Sequence, residues 1–158
     1  MGTELAVVPL FLTEEQIVQI VDIMTPDPRT VQAQDTLQSA AQLMDELNVG
    51  VLPVTEGGRV VGILTDRDIV IRSTSAGQDP RTATVSDAMT GEVRSLPTDA
   101  SVLDAIRIMK EQQLRRVPVV DSRGMLIGMV SLGDLADAGT PEAAGALETI
   151  STPAEPDR

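Results

Sequence analysis

The 158-residue chain contains no cysteine, no histidine, no tryptophan and no tyrosine, and Phe11 is its only aromatic residue. Without cysteine there is no disulfide and no thiol chemistry, and the redox compartment is not constrained. Without histidine the chain lacks the commonest general base and the commonest transition-metal ligand. Since the sequence also shows no metal-ligand cluster and no nucleophile elbow, we expect that the protein is not an enzyme. Stacking on single-stranded bases is excluded as well, because it needs exposed aromatic side chains.

Acidic residues outnumber basic ones, with 24 Asp and Glu against 12 Lys and Arg and a net charge of −12. A surface of this sign repels nucleic acid and anionic lipid, so we expect neither nucleic acid nor a membrane as a partner. The apolar run 5–12 is too short to span a bilayer, and it lacks the basic flank and the cleavage site of a signal peptide. The sequence therefore predicts a soluble, cytoplasmic protein.

The chain repeats one sequence pattern twice. Residues 23–25 (Ile-Met-Thr) recur as 88–90 (Ala-Met-Thr), 51–54 (Val-Leu-Pro-Val) as 116–119 (Arg-Val-Pro-Val), and a closing motif Gly-x-x-Thr/Ser-x-x-Asp stands at 62–68 and at 128–134. Such self-similarity indicates a duplicated structural unit. One unit of about 55 residues is too small to bury a good core alone, so the two should pack together. A cleft between two related halves is a usual place for a small-molecule site.

Apolar periodicity predicts the same order of elements in both copies. A helix over 13–24 precedes copy 1. Copy 1 then has an extended stretch at 29–32, a helix at 37–47, strands at 49–54 and 59–65 and a helix at 66–74; copy 2 has an extended stretch at 92–96, a helix around 102–109, strands at 116–120 and 125–131 and a helix that begins at 132. The predicted fold class is α/β (α+β), with two β-α-β-β-α units packed as a pseudo-twofold pair.

The same pattern divides the chain into five segments. They are an N-terminal arm and helix (1–19), a first repeat (20–75), a linker (76–84), a second repeat (85–137) and an acidic tail (138–158). The linker contains Gly77 and Pro80, which favour turns. The tail is rich in Ala, Gly, Pro, Thr and Glu without sustained periodicity, and we expect it to be disordered.

Each closing motif combines groups that suit a nucleotide. A strand ends at Thr65 and a helix begins, so Asp68 lies in a first turn, where free N–H groups and a partial positive charge favour a phosphate. A carboxylate at this place can accept hydrogen bonds from ribose hydroxyls. The alternative is local, because Thr65-x-x-Asp68 and Ser131-x-x-Asp134 are also capping-box spacings, and a capping box needs no ligand.

The proline-containing strands and the closing motifs, in this order and twice, resemble the CBS domain, and the tandem over 20–137 resembles a CBS pair, also called a Bateman module. The stretch 64–71 is similar to small free-standing two-CBS proteins of bacteria, of the stress- and hypoxia-response type. The resemblance implies a disc-like pair that dimerises further. It also implies a cleft for an adenosine-containing ligand such as AMP, ADP, ATP or S-adenosylmethionine, with no required cofactor and no metal.

The candidate ligand-binding residues are Thr30, Val31, Val51, Pro53, Thr65, Arg67, Asp68, Ser95, Leu96, Arg116, Pro118, Ser131 and Asp134. Thr30 and Ser95 match positions that hydrogen-bond the base in members of the family, or they are ordinary strand residues. Pro53 and Pro118 withhold an N–H from their strands, which leaves a neighbouring carbonyl free to face a base.

The two copies differ beside these strands. Copy 2 has Arg115 and Arg116 where copy 1 has Gly50 and Val51. An arginine here could reach a phosphate, so copy 2 is predicted to suit a charged nucleotide better. The alternative is a solvated surface pair. Arg67 has a similar choice, between a phosphate and a neighbouring aspartate.

Two functions remain open from the sequence. The first is a regulatory sensor that binds an adenosine-containing ligand in the cleft and signals through conformational or oligomeric change to an unknown effector protein. The second is a ligand-free structural or stress-associated dimer in which the closing motifs are only helix caps. For both we expect a homodimer, because the apolar segments 5–12, 13–24 and 37–47 exceed what one small pair needs to cover itself.

Overall fold

The computed structural model describes residues 18–139 together with 141, 144 and 145. The elements in this part of the chain are α1 (Ile20–Ile23), β1 (Thr25–Pro26), α2 (Leu37–Leu47), β2 (Val51–Glu56), β3 (Arg59–Thr65), α3 (Asp66–Asp68), a π-helix (Ile69–Thr74), α4 (Val85–Ala88), β4 (Thr90–Gly91), β5 (Leu96–Pro97), α5 (Val102–Gln112), β6 (Arg116–Val120), β7 (Leu126–Ser131) and α6 (Leu132–Asp137). They form two similar α+β units with one sheet each, which confirms the predicted fold class.

Each repeat is organised around an antiparallel hairpin. In repeat 1, β2 pairs with β3 and Val51 lies opposite Thr65. In repeat 2, β6 pairs with β7 and Arg116 lies opposite Ser131. The tight turn of the first hairpin uses Gly57 at a φ of 57°, a left-handed conformation that glycine adopts without steric cost. The register places the first residue of each hairpin beside the Thr or Ser of the closing motif.

Each sheet also contains a short strand from the segment that precedes the other repeat. β1 pairs with β7, with Pro26 opposite Gly128, and β4 pairs with β3, with Gly91 opposite Gly62. The sheet orders are therefore β2-β3-β4 and β1-β7-β6-β5. We call β1 and β4 the crossing strands. Because each sheet needs a strand from the other half of the chain, the two repeats complete one another.

The two hydrophobic cores show the same exchange. The core of repeat 1 is formed by α2 and its hairpin, and it includes Val85 and Ala88 of α4. The core of repeat 2 is formed by α5, α6 and the second hairpin, and it includes the fully buried Ile20 of α1. Burial of one large aliphatic side chain contributes roughly 1.5–3 kcal/mol. The short helices before the repeats are therefore held by packing rather than by their own length.

The two long helices follow from local signals. α2 begins after Thr36 and α5 after Ser101, and each hydroxyl accepts a hydrogen bond from a backbone amide in the first turn. Both helices end at a residue in the left-handed conformation, Asn48 with a φ of 53° and Gln113 with a φ of 55°. α2 has the bounds that the apolar spacing predicts.

The N-terminal helix predicted over 13–24 is present but shorter where it can be compared. Gln19 is extended and forms a bridge with Ser101, so that the helix begins only at Ile20 and ends at Ile23. Residues 13–17, the apolar arm at 5–12 and most of the tail predicted over 138–158 lie outside the described residues. The repeat and linker boundaries stay predictions.

Smaller differences occur inside repeat 1. β2 begins two residues later than the strand predicted over 49–54, because the amide of Val49 donates to the carbonyl of Met44 in the last turn of α2. The predicted helix at 66–74 is present, but from Ile69 onward it is a π-helix. No helix among the described residues is long and apolar enough to cross a membrane.

Candidate functional site

A cavity of about 800 Å³ lies where the two repeats meet. Its lining residues come from the open end of the first hairpin, the start of α3, the crossing strand β4 and the segment between α5 and β6: Gly50, Val51, Ile63, Thr65, Asp66, Arg67, Asp68, Thr90, Glu92, Val93, Gln112, Gln113, Leu114, Arg115 and Arg116. The volume falls in the range of about 300–1,000 Å³ that small-molecule sites usually have.

Five of the predicted ligand-binding residues line this cavity, namely Val51, Thr65, Arg67, Asp68 and Arg116. The others do not line it: Thr30, Val31, Pro53, Ser95, Leu96, Pro118, Ser131 and Asp134. The cavity therefore brings together the closing motif of repeat 1 and an arginine of repeat 2. The ligand contacts of all these residues stay predictions.

Several of the predicted residues away from the cavity have roles in the sheets. The amide of Val31 donates to the carbonyl of Pro53 at 3.1 Å, and the carbonyl of Val31 accepts from the amide of Thr55 at 2.9 Å. The carbonyl of Pro53 itself therefore accepts a bond within the sheet, and the expectation that a neighbouring carbonyl is free stays a prediction. In repeat 2 the corresponding strand pairs in parallel, with Leu96 opposite Val119.

Both closing motifs form the capping boxes that their spacing predicts. In repeat 1 the amide of Asp68 donates to the hydroxyl of Thr65, and the amide of Thr65 donates to Oδ2 of Asp68, both at 3.0 Å. In repeat 2 the amide of Asp134 donates to the hydroxyl of Ser131 at 3.0 Å, and the return bond is 2.8 Å long. These bonds satisfy amides that would otherwise lack a partner at the helix start.

A cap and a ligand can share the same carboxylate. The cap engages Oδ2 of Asp68, while Oδ1 lies 3.9 Å from Nε of Arg72, and the Asp68 side chain is 17% exposed. A carboxylate offers about four acceptor positions, so Oδ1 can still accept a ligand hydroxyl. Capping boxes also occur at 84–87 and 101–104, away from the cavity. The cap geometry alone therefore does not identify the site.

Arg67, Arg115 and Arg116 line the cavity. Within the described residues none of them forms an ion pair with a carboxylate. The only bond between Arg67 and its neighbouring aspartate comes from the backbone, since the Arg67 amide donates to Oδ1 of Asp66 at 2.8 Å. Asp66, Asp68 and Glu92 line the same cavity, so its lining contains as many acidic as basic residues. The three arginines can still bind an anionic group, because the planar arginine fork fits a phosphate.

Positions that correspond in the two copies meet at this cavity. Gly50 and Val51 of repeat 1 line it together with Arg115 and Arg116 of repeat 2. The sequence comparison predicts a better nucleotide site in copy 2, but the structure places the arginines of copy 2 in the cavity that contains Asp68 of copy 1. The two residue pairs that differ between the copies therefore line the same cavity.

Two groups of lining residues have no signal in the sequence pattern. Thr90, Glu92 and Val93 line the cavity because β4 crosses into the sheet of repeat 1, and a two-residue strand is too short to show periodicity. Gln112 and Leu114 line the cavity because they lie at and just after the end of α5. A pseudo-twofold relation between 112–116 and 47–51 is the one sequence signal that could have found this second group.

A family model described as CBS domain matches residues 20–74 and again residues 85–140. The chain belongs to the CBS domain family. The CBS domain-containing protein YhcV of Bacillus subtilis is 44% identical over 132 residues, which cover 82% of this chain and 93% of YhcV. Hypoxic response protein 1 of Mycobacterium tuberculosis is 40% identical over 116 residues, which cover 73% of this chain and 80% of that protein. The predicted resemblance to small tandem CBS proteins is therefore confirmed.

Solved structures of CBS pairs have the same fold. The crystal structure of Hypoxic Response Protein I with two coordinated zinc ions matches with a TM-score of 0.71 at 38% identity, and covers 76% of this chain and 98% of that one. The 158-residue chain, by contrast, contains no His and no Cys. Among its described residues, no group of three or more Asp or Glu side chains is placed to hold a metal ion.

Two further structures contain adenosine compounds. CBSX2, a CBS-pair protein of Arabidopsis thaliana, in complex with AMP matches with a TM-score of 0.68 at 29% identity, covering 77% of this chain and 95% of CBSX2. The CBS domain pair of protein MJ0100 in complex with 5′-methylthioadenosine and S-adenosyl-L-methionine matches with a TM-score of 0.67 at 27% identity, covering 77% and 94%. Structures of this fold therefore include complexes with adenosine compounds.

Proposed function

We propose that this protein is a regulatory CBS pair that binds an adenosine-containing ligand carrying phosphate in the cavity between its repeats. The observation that carries the proposal is that one cavity is lined by the partly exposed Asp68 and by three arginines that form no ion pair within the described residues. The AMP bound to CBSX2 and the S-adenosylmethionine bound to MJ0100 support the ligand class.

The proposed roles follow from charge. Arg67, Arg115 and Arg116 bind the phosphates, because charge-assisted bonds from arginine are the strongest that a protein offers to phosphate. Oδ1 of Asp68 accepts from a ribose hydroxyl, and Val51 contacts the base. Since S-adenosylmethionine has a positive sulfonium, three arginines favour AMP, ADP or ATP over it. The proposal keeps Thr65 beside this ligand and assigns Ser95, Leu96, Pro118, Ser131 and Asp134 to a second, pseudo-twofold-related site. Thr30, Val31 and Pro53 do not line the cavity, and their ligand contacts stay predictions from the family resemblance.

The proposed output is a change in packing of the two repeats or of two chains, passed to an effector protein without catalysis by this chain. Exposed apolar residues support self-association: Val70 is 55% exposed, Ile71 53% and Leu103 54%. We therefore include a cytoplasmic homodimer in the proposal. Light scattering at micromolar concentration should give about twice the chain mass of 16.7 kDa, and the monomer mass would contradict the dimer.

A ligand panel tests the binding. The full chain is titrated by calorimetry with AMP, ADP, ATP and S-adenosylmethionine, and its melting temperature is measured with the same compounds. Adenosine and pyrophosphate are included as partial ligands. A nucleotide at about 100 times its Kd should stabilise the fold by roughly 2.7 kcal/mol. Adenosine and pyrophosphate alone should bind more weakly than AMP, because each uses only part of the cavity. If no compound gives heat or stabilisation, the alternative of a ligand-free dimer with caps alone is correct.

A further inference from the structure

Arg72 connects the carboxylate in the cavity to the segment that crosses from the second half of the chain. Its Nη1 donates to the carbonyl oxygens of Ala88 at 3.1 Å and Met89 at 3.0 Å. Its Nε lies 3.9 Å from Oδ1 of Asp68. The two carbonyls stand at the C-terminal end of α4, where the last carbonyls lack helical partners and a positive charge is favourable.

The crossing strand begins one residue later. Thr90 lines the cavity and pairs with Ile63 of β3, which lies inside the closing motif of repeat 1. Arg72 therefore bridges two walls of the cavity, the wall with Asp68 and the wall with the crossing strand. The capping box already fixes Oδ2 of Asp68. Within the described residues, Arg72 is the one basic side chain that forms an ion pair with the remaining oxygen.

We propose that Arg72 is a positioning residue that couples Oδ1 of Asp68 to residues 85–91, so that a ligand hydroxyl on Asp68 shifts the crossing segment. The ligand part of this inference rests on the proposed function; the coupling itself does not. Repeat 2 has no such arginine. The closing motifs of the two repeats correspond residue by residue, and the residue that then corresponds to Arg72 is Ala138. The coupling therefore acts only at the site of repeat 1.

The coupling is tested first without ligand, by amide hydrogen exchange in the full chain. Arg72→Met should speed exchange over residues 85–91 about tenfold, because it removes charge-assisted bonds to two carbonyls. Arg123→Met is the control, since Arg123 is an exposed turn arginine paired with Asp121 in repeat 2. Arg72→Lys should lie between the two, because lysine keeps the charge but not the fork. The Arg72→Lys variant also tests the coupling if Arg72→Met does not fold.

A double-mutant cycle separates coupling from a purely structural role. Asp68→Asn should speed exchange over 85–91 in the wild-type background and add little in the Arg72→Met background, because the two residues act through one contact. An equal effect of Asp68→Asn in both backgrounds would overturn the proposal. So would exchange in Arg72→Met that matches the Arg123→Met control.

The ligand arm uses AMP as the probe. Saturating AMP should change exchange over 85–91 in the wild type, and Arg72→Met should lose this change while binding AMP about threefold to tenfold more weakly. Retention of the full AMP-dependent change in Arg72→Met would overturn the inference. If the wild type does not bind AMP, the proposed function fails for this ligand, and the cycle without ligand still decides whether Arg72 couples the two walls.

Discussion

A Cβ atom on Gly62 would lie 2.7 Å from the carbonyl oxygen of Thr90, closer than a side chain can approach backbone. The crossing strand β4 pairs with β3 at this place. Gly128 has the same relation to β1, since a Cβ there would lie 3.0 Å from the carbonyl oxygen of Thr25 and would overlap the sulfur of Met24. The glycine of each closing motif therefore makes room for the crossing strand of the other repeat.

Substitution of Gly62 by alanine should destabilise the fold by about 1–3 kcal/mol, the usual cost of forcing extra atoms into packed structure. Gly91→Ala is the control, because Gly91 lies in β4 itself and a Cβ there meets no atom within 4 Å. Urea unfolding of both variants measures the difference. Equal stability of the two variants would mean that β4 moves aside at no cost.

Replacement of the motif carboxylate separates binding from capping. Asp68→Asn and Asp134→Asn should each lower nucleotide affinity about 10- to 100-fold, because a hydrogen bond to a charged group contributes roughly 1.5–3 kcal/mol. Global stability should barely change, because the side-chain oxygen of asparagine can accept the same bond from the amide of the N-cap residue. Calorimetry and thermal unfolding measure the two effects.

The control for this pair is Asp104→Asn, which changes the capping box of α5 away from the cavity. It should leave nucleotide affinity unaltered. If Asp68→Asn lowers the melting temperature and leaves affinity intact, the motif is only a cap and the nucleotide site lies elsewhere.

The sequence was sufficient for the parts of the fold that local physics determines. α2 was predicted with its observed bounds because its apolar spacing runs from Leu37 to Leu47, and the structure shows that Thr36 caps its start. The strand at 59–65 was predicted from its apolar residues, and the capping boxes from the Thr/Ser-x-x-Asp spacing. These features depend on residues three to ten positions apart, where periodicity and capping carry most of the information.

The crossing strands could not be predicted in this way. The sequence shows the repeated segments Met24-Thr25 and Met89-Thr90. A two-residue strand is too short, however, to indicate which sheet it joins. That choice depends on packing of distant residues, such as Ile20 in the core of repeat 2. For the same reason the sequence could not show that the arginines at 115–116 line the cavity that also contains Asp68. Which copy suits a charged nucleotide better stays a prediction.

Removal of one arginine should weaken phosphate binding selectively. Arg116→Met should lower affinity for ATP about tenfold and affinity for adenosine little, because methionine keeps the apolar stem and loses the guanidinium. Arg123→Met is the matched control, since it removes the same charge from an exposed turn. The ratio of ATP to adenosine affinity, measured by calorimetry at fixed salt, is the readout. An equal loss for both compounds would indicate that Arg116 acts on the fold and not on phosphate.

Acid should unfold the protein partly through Asp104, whose carboxylate caps α5. Hydrogen bonds from the amide and then the hydroxyl of Ser101 hold the pKa of Asp104 below its ordinary value. A pKa lowered in the folded state stabilises the protein above the unfolded value of about 3.9, and this contribution is lost as the pH falls through the lower, folded value. Urea unfolding between about pH 5 and pH 3 should therefore show a shallower loss of stability in Asp104→Asn than in the wild type, because asparagine keeps the cap and does not titrate. A hydrogen bond from the amide of Met125 lowers the pKa of Asp121 in the same sense. The double variant Asp104→Asn with Asp121→Asn should therefore lose less stability between about pH 5 and pH 3 than Asp104→Asn alone. Parallel curves for all three proteins would show that neither carboxylate contributes to acid unfolding.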